Sequence, residues 1–202
     1  MLLPRERYEG LLYPKLRLDL LPAMLGYAGL GAFIAGFYGV LHDQITYSIS
    51  PEYFTRLKFL QFRYADFGLP PRVFVGEIGF LATWWVGLIA GWFLARVAVP
   101  ALPGRNARAG ILRGFATMLA CGFLAALVGF LVGLRLGPDS DLSVWQGFVT
   151  TRGVVDLPNF VRVAYIHNAS YLGGLIGLIV ALLYLRRQKS KVATAPASCQ
   201  LS

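Results

Sequence analysis

The sequence predicts an all-α integral membrane protein: a four-transmembrane-helix bundle with an amphipathic outer loop helix. Three observations carry this. The 202 residues are 56% hydrophobic and only 14% charged, a balance too apolar for a soluble domain of this size. Four apolar runs reach the length of about 20 residues that crosses about 30 Å of hydrocarbon. Lys and Arg collect mainly in the segments flanking those runs, where they act as orientation signals.

The runs are 20–41, 73–99, 111–134 and 163–185. They leave 1–19 as a cytoplasmic N-terminal segment and 186–202 as a disordered cytoplasmic tail. Arg5, Arg7, Lys15 and Arg17 precede the first run in the manner of a signal peptide. The run is too long for one and has no small-residue cleavage site before the next polar segment, so it reads as a retained span. The N-terminal segment, the connection around Arg96, Arg105, Arg108 and Arg113, and the tail from Arg186 each carry four cations, twelve on one side against seven in the other two loops. That asymmetry predicts both termini in the cytoplasm and the two longer loops outside. The net charge of +9 is thereby accounted for without nucleic acid.

Within the first outer loop, residues 45–50 alternate apolar and polar and predict a short extended segment. Ser50, Pro51 and Glu52 then supply an N-cap, a first-turn proline and a first-turn acid. Along the helix they start, Tyr53, Leu57, Leu60 and Tyr64 share a face. Such a helix either lies in the membrane interface or packs on the bundle as a lid. Pro70 and Pro71 end the loop. The other outer loop holds Trp145, Phe148, Asp139, Asp141 and Asp156, but not the alternating oxygen ligands and glycine of a calcium loop, and reads as solvated.

Lipid tails are as apolar as leucine, so spans associate where small residues let backbones approach. Each span has such a stripe: Ala28, Gly31, Ala35 and Gly39; Gly87 and Gly91; Ala125, Gly129 and Gly133; Gly173, Gly177 and Ala181. Ionisable residues inside a membrane are costly and face the interior, so each is a functional candidate. Glu77 and His167 lie about 6 Å inside their spans, and His42 and Asp43 close the first span at the same level. With Asn168 and Ser170 they form a predicted polar cluster, which Tyr171 and Tyr47 could extend. His42, Glu77 and His167 are the candidate metal ligands, because two imidazoles and a carboxylate suit zinc, copper or iron. Nearby glycines also leave a haem reading open. Proton or substrate handling is another. The plainer reading is that these groups hydrogen-bond one another and pin the outer loop to the bundle.

Cys121 and Cys199 make neither a disulfide framework nor a thiolate site, and Cys199–Ser202 only formally matches a prenylation box. There is no P-loop, nucleophile elbow or dinucleotide fingerprint. The segments HDQITYSISPEYF (42–54) and YIHNASYLGGLIG (165–177) resemble an uncharacterised family of small bacterial multi-spanning, signal-peptide-like membrane proteins. The resemblance covers most of 20–185, implies no activity, and implies a bacterial inner membrane. The sequence thus leads to a non-enzymatic membrane protein, a subunit of a larger complex with other membrane subunits or copies of itself. A metal or haem protein using His42 and His167, and an oligomeric transporter or channel subunit, are the alternatives.

Overall fold

The computed structural model describes residues 17–136 and 140–194. Among these there are helices and turns and no strand. A single 3-10 turn, Leu18–Leu20, leads into α1 (Leu21–Ile49). The next helix, α2, joins Pro51–Tyr53, a π-helical stretch Phe54–Lys58 and Phe59–Gln61. Then follow α3 (Pro71–Ala98), α4 (Gly104–Leu134), the short α5 (Gln146–Arg152) and α6 (Leu157–Thr194). The helices α1, α3, α4 and α6 are long and apolar enough to cross a membrane, and we read the chain as spanning one four times.

Two expectations are corrected. Residues 45–50 were expected to be extended, but α1 runs unbroken through Ile49. Thr46 and Ser48 turn their hydroxyls back to the carbonyls of His42 and Gln44, one turn earlier, which satisfies them within the helix. The helix stops at Ser50, which leaves helical geometry because Pro51 follows. At the other end, α6 continues to Thr194, into the segment expected to be a disordered tail; Cys199 and the rest of the tail lie outside the described residues. The second outer loop is partly helical through α5, whose end is closed by Gly153 in the left-handed region. Asp139 lies outside the described residues.

The bundle is built as two helical hairpins. In the first, α1 and α3 touch backbone to backbone: Gly31 meets Gly87, Gly39 meets Gly79, and Gly91 meets Tyr27 and Ala28. Thr83 adds an interhelical hydrogen bond to the Ala35 carbonyl at 2.7 Å. In the second, Gly129 meets Tyr165, Gly133 meets Arg162, Gly173 meets Cys121 and Ala125, and Gly177 meets Met118. Arg162 donates to the Gly133 carbonyl at 3.1 Å, in the last turn of α4, where that oxygen also accepts the Leu136 N–H at 3.2 Å.

Two apolar clusters join the hairpins. One, at the end bearing Arg96 and Arg186, packs Met24, Leu94, Ile111, Phe115 and Leu185. The other packs α2 onto the start of α6 through Tyr53, Phe54, Phe160 and Val161. So α2 is a lid on the bundle at its beginning, while Leu60 and Tyr64 further along are exposed. Between the clusters the hairpins leave a cavity.

The stripes predict where a methyl group is tolerated. Added at Gly87 it would collide with the Gly31 carbonyl and stand 2.5 Å from the Ala35 Cβ, whereas at Gly29 it meets nothing within 4 Å. Gly87→Ala is expected to cost about 1 to 3 kcal/mol by overpacking, and Gly29→Ala to cost nothing. Thermal unfolding of both variants in detergent checks this; equal midpoints would mean the stripe is not the contact.

Candidate functional site

Helical phase explains how the site forms. On α1 the buried positions are Met24, Ala28, Gly31, Gly36, Gly39, Asp43 and Thr46, and all but Gly36 fall on one helix face. Below Asp43 this face is small and meets α3. At Asp43 and Thr46 it becomes polar and meets His167 of α6. Asp43 and His167 are each 4% exposed.

Each group has its contacts. His167 Nε2 lies 3.2 Å from Thr46 Oγ1 and 3.7 Å from Asp43 Oδ1. The His42 ring stands edge-on to the His167 ring with centroids 4.7 Å apart, and stacks on Tyr38 at 5.6 Å. Tyr53 and Phe54 of the lid close over His167, at 5.0 and 6.1 Å. His42 Nε2 is buried with no hydrogen-bond partner. A ring nitrogen from each histidine and a carboxylate oxygen of Asp43 all lie within 4.8 Å of one another.

These groups border the cavity, about 90 Å³ in volume and otherwise walled by residues such as Ala35, Val86, Leu119 and Gly174. Ser170 and Tyr171 line it, and Ser170 bonds Tyr38 across the hairpin seam at 2.9 Å. That volume holds a few water molecules and falls far short of a macrocycle. The edge contact between the two imidazoles leaves no gap for one either.

Of the residues singled out from the sequence, the fold brings together His42, Asp43, His167 and Ser170. Glu77 is partly buried, lies outside the His–Asp–His group and off the cavity wall, and has one carboxylate oxygen without a partner. Asn168 is exposed, off the buried face of α6 that carries His167. Tyr47 packs against Phe54 and under Arg72 instead of joining the cluster.

Two residues were missed. Lys58 sits in the π-helical stretch, 5.8 Å from the centre of the Tyr53 ring and close enough to Asp43 to feel its charge. Burial holds its ammonium below the ordinary lysine range, and Asp43 pulls the other way. Burial likewise pushes the Tyr53 phenol up, with Asp43 adding to the effect. A π-bulge is a common mark of a functional segment, but nothing in the residue pattern announces one. The other missed residue is Glu52, expected only to favour its own helix. Its carboxylate instead accepts the N–H groups of Val155 and Asp156, at 3.1 and 2.8 Å, tying the lid to the approach to α6.

No protein-family model, curated protein or solved structure matches this chain.

Glu52 generates a prediction. Glu52→Ala strips two backbone N–H groups of a charged acceptor, which is expected to cost about 1.5 to 3 kcal/mol. Glu52→Gln, keeping one acceptor oxygen, should cost less. Denaturation in detergent with both variants checks the order; no loss in Glu52→Ala would mean that the tie is not a stabilising one.

Proposed function

We propose that this is a multi-pass protein of a bacterial inner membrane, with both termini in the cytoplasm, that binds one divalent transition-metal ion through His42, Asp43 and His167. The observation that carries the reading is the convergence of three donors within 4.8 Å of one another, two of them almost fully buried, with His42 Nε2 left unpartnered. Buried imidazole nitrogen without a hydrogen bond is costly. A metal ion at that point would use its lone pair. Two imidazoles and one carboxylate are a donor set of zinc and iron sites that keep open positions, and here those positions would face the cavity. The Thr46 hydroxyl lies 3.2 Å from His167 Nε2 and also donates to the His42 carbonyl at 3.0 Å, so a metal taking Nε2 would leave that hydroxyl satisfied within its own helix.

A second reading has specific support. Tyr53 and Phe54 packed on His167, with Lys58 beside Asp43, suit a purely structural brace between lid and bundle. It leaves His42 Nε2 unexplained.

The test titrates purified chain with Zn²⁺. We expect one ion per chain and, for His42→Gln and His167→Gln alike, affinity reduced by more than the about 10- to 100-fold typical of losing an outer-shell partner. A wild-type chain that binds no zinc, iron or cobalt, together with undisturbed stability in both glutamine variants, would leave the brace. For orientation, reporters fused after Arg187 and within 104–108 should report cytoplasm, and one within 141–145 the opposite side. An outside signal from the tail would overturn the topology.

A further inference from the structure

The end of the bundle away from the His42 cluster holds a feature that metal binding leaves unused. Arg17 ahead of α1, Arg96 in the last turn of α3, and Arg186 and Lys189 on α6 line one pocket of about 510 Å³, together with Met24, Val97 and Pro100. Arg17 is paired with Asp19 at 2.7 Å. Arg96, Arg186 and Lys189 form no ion pair or hydrogen bond among the described residues. The segment ahead of α1 and two helices thus bring four cations to one space, with Asp19 the single carboxylate paired to them among the described residues. Like charges held together repel one another unless an anion joins them, and the carbonyl end of α3 offsets only part of this.

We propose that this pocket seats the phosphate of an anionic phospholipid headgroup. Guanidinium groups match phosphate oxygens in pairs, and basic pockets between spanning helices recognise such headgroups. Two features select a lipid over a soluble anion. The pocket lies where the apolar spans begin and end, at the level of the headgroups of a bilayer. Its wall also includes Val97 and Pro100, apolar surface that suits a lipid's upper chains and gives nothing to free phosphate. The site is independent of the His42 cluster, so neither reading stands or falls with the other.

The experiment titrates the full chain in nonionic detergent with phosphatidylglycerol, phosphatidylcholine and inorganic phosphate, and counts bound lipid by native mass spectrometry. Each cation near a headgroup is worth about fivefold in binding, so Arg96→Gln with Arg186→Gln should weaken phosphatidylglycerol by about thirtyfold. Arg105→Gln with Arg108→Gln, which removes the same charge outside the pocket, should leave binding close to wild type. If the first pair does not fold, Arg186→Gln with Lys189→Gln replaces it, since both side chains are exposed. Equal binding of the two lipids, unchanged binding in the pocket variants or an equal loss in the control pair would overturn the site. Inorganic phosphate binding as tightly as phosphatidylglycerol would overturn its assignment to a lipid.

Discussion

Backbone contact within each hairpin is the constraint on which the rest of this bundle depends. Between spanning helices there is no hydrophobic driving force, so close packing and interhelical hydrogen bonds must hold them. Gly31 against Gly87 and Gly39 against Gly79 fix α1 on α3; Gly129 against Tyr165 and Gly173 against Cys121 fix α4 on α6. Because the small faces are consumed inside the hairpins, the hairpins meet each other through larger side chains. Those fill the two ends and leave the middle open. The cavity is a consequence of where the glycines are.

That cavity makes the polar cluster both affordable and costly. An aspartate and two imidazoles removed from water lose hydration that apolar neighbours do not restore. Part of the loss is offset by Thr46 and by the charge of Lys58, which the π-helical stretch brings to the seam. What is not offset is His42 Nε2. A structural brace would be expected to satisfy all its members, since a half-satisfied network is worse than an apolar core. A binding site is expected to hold something back for its ligand.

The spans, the lid helix and its Ser50 cap, and the pairing of His42 with His167 were legible in the sequence, because each rests on local periodicity or on a rare residue in an apolar run. Asp43 was placed in the polar cluster but not among the candidate metal ligands, although it carries on the face of Gly31 and Gly39. That was hidden by the alternation at 45–50, which imitates a strand; the same residues satisfy a helix because Thr46 and Ser48 can bond backwards within it. Glu77 was expected to face the cluster on depth and helical phase. Those fix height and direction on a single helix, not which neighbouring helix presents the next donor. Lys58 and Glu52 depend on a π-helical stretch and on a contact more than 100 residues away in sequence, at Val155 and Asp156. Neither leaves a local pattern.

The most direct test of the central claim, that the seam between the hairpins is a ligand set, is X-ray absorption at the zinc edge on the zinc-loaded chain in detergent. The account predicts two imidazole nitrogens and a carboxylate oxygen, each about 2.0 to 2.2 Å from the metal, with the multiple-scattering signature of two rings. A spectrum of oxygen neighbours without imidazole scattering would contradict it, placing any bound zinc on surface carboxylates and returning His42, Asp43 and His167 to a purely structural role.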